Sequence, residues 1–434
     1  MQDISDNLHD EHKANVLRED LDVLLRQKRD HEEEVFEQLR QMLEAQVLNP
    51  RTAIRLKRTT VNGRQVTVFN KVRTGLLFFD RFCALRLTQA FSVRSNGRDQ
   101  CVRVLSNTFR MGSVGKEANQ AILKFDIREF YANIDHEILT NMLANHAGVP
   151  KFIEVHVRNI LEAQARMTGA KRGLPDGVPT SAVLAEIYLE SMDRTLRRNS
   201  HFVLYLRYVD DVVIVTEPER VDEANSQIDS VLGSLALERN AAKSVQLIHP
   251  SVSPTGLDYL GYRFNFDAVT SKQRSVDISI AKRERYIDAV NRLVGFANSV
   301  SCWADTSNVD LYLAACSYLA SPHATSDEEH RMRIVSGLAY SARFMRGKAA
   351  DRQNMRSLLV AIRKEIAMRW GVIGATVSPG GSPLCPCCSR VIARWSDILI
   401  LMKVVGHEHH TMKSVAVPHE DEQLRIKVGD LLWK

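Results

Sequence analysis

The feature that most restricts the fold is a pair of adjacent acids between two strongly apolar segments. Asp210 and Asp211 are flanked by the segments FVLYLRYV (202–209) and DVVIVT (211–216), which are typical of buried β-strands. This pattern predicts a hairpin with two neighbouring carboxylates at its tip. Half-buried acids in this arrangement repel each other unless they share a cation. Mg²⁺ meets that need, with carboxylates and substrate phosphates as its ligands.

A third acid, Asp126, lies in the apolar segment AILKFDI (121–127), where the chain turns towards a helix. It precedes Asp210 by 84 positions, so only the fold can bring the two together. Three converging carboxylates could hold two metal ions about 4 Å apart, one activating a hydroxyl and one stabilising a departing pyrophosphate. Phosphoryl transfer requires little beyond in-line positioning and charge neutralisation. The alternative is a solvated Asp-Asp turn and an unrelated acid at a strand end.

Strand-like and helical segments alternate between residues 121 and 264, which predicts a mixed sheet backed by helices. Before this region, residues 54–69 alternate around Asn62-Gly63, the strongest short signal for a β-hairpin. After it, residues 280–370 have a helical pattern. Residues 8–48 carry apolar positions at helical spacing, so we expect one or two amphipathic helices there.

The distribution of charge favours a polyanionic partner. The net charge is +6, but residues 1–50 hold 6 Lys/Arg against 13 Asp/Glu, which leaves +13 on residues 51–434. Lys and Arg that neutralise phosphates release condensed counterions. The net positive charge of residues 51–434 therefore favours a nucleic acid as partner. One helical stretch is rich in cations that we expect to contact phosphates, although a solvated helix face is the alternative. These cations are Arg343, Arg346, Lys348, Arg352, Arg356, Arg363 and Lys364.

Cysteine use and hydropathy indicate a reduced, cytoplasmic protein. The seven cysteines are an odd number and most are scattered singly, unlike a disulfide framework. No segment approaches the roughly 20 uninterrupted apolar residues of a membrane span. The N-terminus is acidic and polar, unlike a secretory signal.

The C-terminal segment contains a candidate zinc site. Cys385 and Cys388 have the spacing of a zinc knuckle, and His407 and His410 could complete four ligands. No second Cys-x-x-Cys pair follows, and the apolar segment 397–405 is better explained as a packed strand. A Zn²⁺ site and a metal-free packed segment are therefore both open.

Five segments, taken in order, resemble the motif series of reverse transcriptases, the RNA-directed DNA polymerases. They are FDIREFYANIDH (125–136), GLPDGVPTSAVLAEIYLESMD (173–193), YVDD (208–211), LERNAAKSVQL (237–247) and LDYLGYRF (257–264). The resemblance implies an α+β right-hand polymerase with fingers at 51–120, a palm at 121–270 and a thumb at 271–370. Residues 1–50 would be a helical N-terminal extension and residues 371–434 a short C-terminal extension.

The resemblance also implies roles for individual residues. Asp126, Asp210 and Asp211 would bind two Mg²⁺ ions, and Lys243 would donate a proton to the pyrophosphate. Tyr131 would be the steric gate that excludes a ribose 2′-hydroxyl, and the alternative is a core aromatic. The other nucleotide-binding residues would be Ile127, Asp176, Gly177, Lys57 and Arg58, although Gly177 could be a plain turn glycine. The primer grip would be formed by Leu260, Gly261 and Tyr262.

Two positions depart from the family pattern. Asp176 stands where many relatives have Gln, and a carboxylate beside a triphosphate is repelled unless a cation compensates it. Ala185-Glu186 replaces the Ala-Asn of retron and group II intron enzymes, and it resembles the bacterial abortive-infection and antiphage-defence reverse transcriptases. That group implies a dedicated noncoding RNA as template, a DNA product, dNTP substrates and a second protein of a defence system. Some of its members synthesise DNA without a copied template or from a protein primer.

Other functions stay open beside this one. They are a group II intron or retron-type reverse transcriptase or maturase, an untemplated or protein-primed DNA polymerase, and an inactive RNA-binding scaffold. The short tail argues against a maturase, which should carry a larger RNA-binding thumb and a DNA-binding tail. A scaffold has no use for Asp126, Asp210, Asp211 and Lys243 together. The acidic N-terminal helices could mediate oligomerisation.

Overall fold

The structure of the protein, a computed structural model, describes residues 54–362 with short gaps and a few residues beyond them. The gaps are 62–63, 71–73, 95, 112–119, 249–255, 268–272, 300–305, 321–322 and 327–332, and the later residues are 364, 427–428 and 431. The helices predicted within 8–48, Arg363 and the candidate zinc ligands Cys385, Cys388, His407 and His410 lie outside the described residues.

Helices and strands alternate along the described chain. The strands are β1 (Leu56–Val61), β2 (Arg64–Phe69), β3 (Ala121–Asp126), β4 (Phe202–Tyr208), β5 (Asp211–Thr216), β6 (Val245–Ile248), β7 (Leu257–Tyr259), β8 (Tyr262–Phe266), β9 (Gln273–Ile278), β10 (His323–Ser326) and β11 (Arg333–Ser336). The helices are α1 (Thr74–Ala90), α2 (Arg98–Met111), α3 (Phe130–Asn133), α4 (His136–Ala144), α5 (Lys151–Thr168), α6 (Pro179–Arg197), α7 (Val221–Ser234), α8 (Ile280–Ser299), α9 (Thr306–Ala320) and α10 (Leu338–Ala342). None of the helices in these described segments is both long and apolar enough to cross a lipid bilayer.

A four-stranded antiparallel sheet in the order β4-β5-β3-β6 forms the centre of the described chain. Its inner strands β3 and β5 are covered on both faces, so their sequences are almost continuously apolar. Successive side chains of β5 enter two different cores, Val212 and Ile214 the first, Val213 and Val215 the second. Helices α1 and α4–α7 contribute to the first core, and α2 with β7–β9 to the second. This double cover fixes the register, because a slip of one residue would exchange the two faces.

A buried polar cluster fixes helix α6 against α1 and α5. Asp80 in α1 is fully buried and accepts hydrogen bonds from the backbone N–H of Thr180, at 3.0 Å, and from the Thr180 hydroxyl. Its second neighbour is Nε2 of His156 in α5, at 2.9 Å. A buried carboxylate is tolerated when its oxygens are hydrogen-bonded in this way. Because Thr180 lies in the first turn of α6, the cluster sets the position of that helix.

The helices that follow β9 share an apolar core, to which β9 contributes Ile278. Strands β7, β8 and β9 make an antiparallel sheet, and helices α8, α9 and α10 share an apolar core with the helical residues 353–362. Asp277 in β9 accepts the backbone N–H groups of Asn354, at 2.7 Å, and Met355, at 3.1 Å. These bonds join the small sheet to the start of the helix at 353–362.

The α+β architecture expected from the sequence is confirmed, and the hairpin predicted at 54–69 is present, with Val61 of β1 paired to Arg64 of β2. The prediction that residues 280–370 are helical throughout is wrong, because β10 and β11 form an antiparallel hairpin within them. Each strand has only four residues, too few for an alternating pattern to stand out in the sequence. The β-branched residues Thr325, Ile334 and Val335 nevertheless favour an extended backbone.

Candidate active site

The acids Asp210 and Asp211 lie where strand β4 turns into β5. Pairing of Tyr208 with Asp211 leaves Val209 and Asp210 as the two turn residues. Val209 has a φ of 56°, in the left-handed region that a β-branched residue rarely adopts. Strain of this kind costs about 1–3 kcal/mol and persists only where surrounding contacts impose it. The turn that carries the acids is therefore held by its surroundings.

Strand β3 brings Asp126 directly opposite Asp211. The two residues are cross-strand partners at the end of the antiparallel ladder. The backbone N–H of Ile127 donates to the Asp210 carbonyl at 3.1 Å, which ties the end of β3 to the turn. The Asp126 side chain is only 8% exposed. The fold thus brings the strand-end acid to the hairpin acids, in agreement with the prediction from the sequence.

Residues 240–243 enclose Asp126 from the side away from the hairpin. Asn240 donates its backbone N–H to the Asp126 carbonyl at 2.7 Å and its side-chain amide to the Asp126 carboxylate at 3.2 Å. A 3₁₀ turn at Ala241–Lys243 then directs Nζ of Lys243 to the same carboxylate, at 3.1 Å. The Lys243 side chain is 61% exposed, so its ammonium group approaches the acids from the solvent side.

The electrostatics of the acid cluster favour a bound cation. Burial, followed by repulsion from Asp126, raises the pKa of Asp210. Burial also raises the pKa of Asp211, although Lys124 opposes the shift with its Nζ at 3.6 Å. The hydrogen bond to Asp126 raises the pKa of Lys243 and keeps that lysine charged. Acids whose pKa values are raised by burial and by repulsion are stabilised when a cation is shared between them.

The donor set fits Mg²⁺ better than a transition metal. All three groups are carboxylates, and oxygen ligands suit this hard ion. Within the described ranges, no group of three His, Cys, Asp or Glu side chains is arranged to hold a metal ion by itself. Mg²⁺ in phosphoryl-transfer sites takes one or two carboxylates and completes its shell with waters and substrate phosphates. The three carboxylates would therefore supply part of the oxygen shell, and waters and substrate phosphates would complete it.

Tyr131 lies beside the acid cluster with its side chain half-buried. Its ring packs edge-on against Phe130, with 5.7 Å between the ring centroids. Burial raises the pKa of Tyr131 to about 12, and the charges of Glu186, Asp210 and Asp176 contribute to the shift. The hydroxyl group is therefore protonated at neutral pH.

Asp176 makes a contact that its predicted role did not suggest. Its Oδ1 accepts the backbone N–H of Thr67 in β2 at 2.7 Å, and the Gly177 N–H donates to the Thr67 carbonyl at 2.9 Å. The partner of this carboxylate is thus a backbone donor of the β1–β2 hairpin. Gly177 permits the close approach, because a Cβ there would lie 2.5 Å from Cγ1 of Val68 and 2.9 Å from the Thr67 carbonyl oxygen.

Replacement of Gly177 by alanine is expected to displace the β1–β2 hairpin and to lower the free energy of unfolding by about 1–3 kcal/mol, because the added methyl group overpacks the contact. Thermal unfolding followed by circular dichroism measures this change. Gly233→Ala in α7 is the control, since a Cβ there meets nothing within 4 Å and should stabilise the helix by up to about 1 kcal/mol. A Gly177→Ala protein as stable as the wild type would contradict the docking of the hairpin.

Three other predicted nucleotide ligands are placed less favourably. Lys57 and Arg58 are both exposed on β1, but neighbouring residues of a strand point to opposite faces. The two cations therefore start from opposite faces of the hairpin. The side chain of Ile127 is fully buried, and its N–H is occupied by the Asp210 carbonyl. Ile127 thus supports the acid turn from within the protein.

The predicted primer grip is the tight turn between β7 and β8. Leu260 and Gly261 have φ values of 48° and 79°, as a two-residue hairpin turn requires. Arg98 at the start of α2 donates two hydrogen bonds to the Leu260 carbonyl, at 2.7 and 3.2 Å. Tyr262 is only 1% exposed, and Nζ of Lys282 lies 5.0 Å from the centroid of its ring. Only the turn residues can face a nucleic-acid strand, and Tyr262 supports them from beneath.

The cations predicted to contact phosphates divide into two groups. Arg343 is engaged within the protein, where it pairs with Asp99 and lies 3.4 Å from the centroid of the Tyr340 ring. Exposed cations on the same stretch keep their side chains accessible to a polyanion. They are Arg346, Lys348, Arg356 and Lys364.

The sequence patterns did not reveal the link between Arg207, Glu186 and Asp193, which form ion pairs in the structure. Arg207 interrupts the otherwise apolar strand β4. Glu186 and Asp193 are seven residues apart in α6, about two helical turns, so they share one face. The sequence does contain a signal for this link. A single cation lies in an otherwise apolar strand, and the helix before it carries two acids on one face.

The central part of the chain matches a known family. Residues 80–264 match the family model described as reverse transcriptase (RNA-dependent DNA polymerase). No curated protein shows a significant match to the chain.

Solved structures of telomerases are similar to the chain. Telomerase from Candida albicans in complex with a TWJ fragment of telomeric RNA has 16% identity and a TM-score of 0.40, over 82% of this chain and 59% of that one. Apo telomerase from Candida tropicalis has 13% identity and a TM-score of 0.42, over 86% and 68%. Its form truncated from the C-terminal domain has 15% identity and a TM-score of 0.38, over 52% and 55%. The chain thus spans between 55% and 68% of the length of these telomerase chains.

Reverse transcriptase domains generally use divalent metal ions such as Mg²⁺, which agrees with the oxygen ligands of the acid cluster. The match to the reverse transcriptase family model spans the whole acid cluster and the helices that support it.

Proposed function

We propose that the chain is a reverse transcriptase that synthesises DNA from dNTPs on an RNA template. The observation that carries the proposal is the meeting of Asp126 with Asp210 and Asp211 beside a charged lysine, Lys243, inside the matched domain. A protein that only bound RNA would gain nothing from three acids that repel one another. The basic charge of residues 51–434 supports a nucleic-acid partner.

The proposed chemistry is phosphoryl transfer with two Mg²⁺ ions held by Asp126, Asp210 and Asp211. When bound, the ions supply charge neutralisation and a more acidic 3′-hydroxyl group. Asn240 orients the Asp126 carboxylate through its amide hydrogen bond. Lys243 carries a proton at Nζ and is exposed enough to give it to a departing pyrophosphate. Leu260 and Gly261 offer the turn on which a primer strand would rest.

The proposal includes a role in bacterial antiviral defence, in the cytoplasm and with a dedicated noncoding RNA. Its support is the Ala185-Glu186 pair, which resembles the defence-associated enzymes. Glu186 forms an ion pair with Arg207, at 2.7 Å, so the acid that marks the resemblance is built into the domain. A second protein of the defence system and self-association through the acidic residues 1–50 belong to the same proposal.

Zinc content separates the two interpretations of the C-terminal segment. One equivalent of Zn²⁺ per chain, lost when Cys385 and Cys388 are replaced by serine, would assign the ligands Cys385, Cys388, His407 and His410. A zinc-free purified protein would leave residues 397–405 as a packed strand.

The test of the proposed function is sequencing of the nucleic acid that co-purifies with the protein, followed by extension with each single dNTP and Mg²⁺. The expected result is one discrete RNA and a DNA product complementary to it. DNA of simple or random sequence without a matching RNA would replace the proposal with untemplated or protein-primed synthesis, and Asp176 would be the first residue to test. Bound RNA without incorporation under any metal would favour a scaffold.

A further inference from the structure

Arg207 is a buried cation immediately before the turn that carries the acids. Its side chain is 4% exposed. Nε and Nη2 donate to the two oxygens of Asp193, each at 2.8 Å, and Nη2 also donates to Oε2 of Glu186 at 2.7 Å. Nη1 donates to Oε1 of Glu186 at 3.3 Å and to the backbone carbonyl of Val209 at 2.9 Å. One guanidinium group thus joins two acids of α6 to the turn.

The bond to Val209 holds a strained residue. Val209 has its φ at 56°, and a β-branched side chain makes that conformation costly. Its carbonyl belongs to the peptide that leads into Asp210, so the position of that carbonyl helps to set the direction of the Asp210 carboxylate. The Ile127 N–H fixes the carbonyl of Asp210 itself. Arg207 and the Ile127 N–H thus each hold one of two consecutive carbonyl groups in the turn.

The acids that hold Arg207 are anchored in the core. Helix α6 carries both of them, and the buried cluster of Asp80 and Thr180 fixes its first turn. Asp193 also accepts a hydrogen bond from the hydroxyl of Tyr205 at 2.6 Å. Glu186 is paired with Arg207, and its side chain is 14% exposed, against 9% for Asp193. Glu186 is therefore the member of the set that can be altered with least damage to the core.

We infer that Glu186 and Arg207 are positioning residues, which set the Asp210 carboxylate relative to Asp126 and thereby the affinity of the acid cluster for divalent cations. This inference rests on the proposed function, because it assigns a role to the metal site of that function. Neither residue touches the reacting atoms. Their effect passes through the Val209 carbonyl, in the way that groups outside a metal's ligand shell orient its ligands.

The test compares Glu186→Gln with Glu190→Gln in the full-length protein. Both variants replace one acid of α6 by its amide, but Glu190 pairs with the exposed Arg194. Mn²⁺, which accepts the same oxygen ligands as Mg²⁺, is titrated into metal-free protein and followed by electron paramagnetic resonance. We expect Glu186→Gln to weaken Mn²⁺ binding by about tenfold, at the lower end of the effects of residues that orient metal ligands. Glu190→Gln should bind Mn²⁺ as the wild type does.

The two variants should also differ from each other in their kinetics of dNTP incorporation. In Glu186→Gln we expect kcat to fall and the Mg²⁺ concentration for half-maximal rate to rise, with KM for the template–primer unchanged. Wild-type Mn²⁺ affinity in Glu186→Gln, or equal weakening in Glu190→Gln, would overturn the inference. If circular dichroism shows that Glu186→Gln does not fold, Glu186→Ala takes its place, and unchanged Mn²⁺ affinity there has the same meaning. The metal titration does not depend on polymerisation, so failure of the proposed function would be seen separately as a wild-type protein without incorporation.

Discussion

Replacement of Asp210 by asparagine is expected to lower the rate of dNTP incorporation about a thousandfold, which corresponds to about 4 kcal/mol of transition-state stabilisation. The change preserves the shape of the side chain and removes one charge from the acid cluster. Asp211→Asn and Asp126→Asn should behave similarly, because the two residues are cross-strand partners in the same cluster. Single-turnover extension of a primer at saturating dNTP, over a range of Mg²⁺ concentrations, measures the loss.

The control for this loss is Asp222→Asn. Asp222 lies in the first turn of α7 and is exposed, so its replacement removes an acid from the same domain away from the cluster. We expect its incorporation rate to equal that of the wild type. A double variant, Asp210→Asn with Asp211→Asn, that polymerises at the normal rate would show that these acids do not hold the metal ions.

The same Asp210→Asn change is expected to stabilise the metal-free protein by up to about 1 kcal/mol, because closely placed like charges are destabilising. The raised pKa of Asp210, caused by burial and by Asp126, reports this cost in the folded state. Thermal unfolding in a chelator measures the gain, and added Mg²⁺ should reduce it by stabilising the wild type. A lower melting temperature for the metal-free variant would mean that Asp210 stabilises the fold.

The central sheet could be predicted from the sequence because its inner strands are buried on both faces. Strands β3 and β5 appear as short, nearly continuous apolar segments, and the charged residues of the hairpin mark where β4 ends and β5 begins. The β10–β11 hairpin could not be predicted, since strands of only four residues are too short to show a period of two. The two strands pair between α9 and α10 in the folded protein, and no local sequence pattern encodes this pairing.

The candidate site was predictable to the extent that its residues follow a family pattern. The pairing of Asp126 with Asp211 joins strands that are distant in the chain, and no local signal encodes it. The contact between Asp176 and Thr67 was beyond prediction for a different reason. The donor is a backbone N–H, which every residue except proline has. The sequence therefore does not show which N–H group will bind the carboxylate.

Replacement of Tyr131 by alanine is expected to increase the use of ribonucleotides relative to deoxyribonucleotides by about a hundredfold, in the range that steric fit in a pocket can supply. The ring is half-buried with one edge packed on Phe130, and a ring that faces the acid cluster would meet the 2′-hydroxyl of a ribose held there. Removal of the ring opens that space. The measurement is kcat/KM for a dNTP and the matching rNTP in primer extension.

Tyr131→Phe separates the gate from the alternative that Tyr131 is a core aromatic. Phenylalanine keeps the ring and removes only the hydroxyl, so we expect the preference for dNTPs to be retained. A gate predicts that Tyr131→Ala loses sugar discrimination while the variant remains folded. A core aromatic predicts the opposite, a lower melting temperature from the lost packing with the sugar preference unchanged. The position of the ring beside Asp210, at the surface of the core and not within it, is the physical reason to expect the first result.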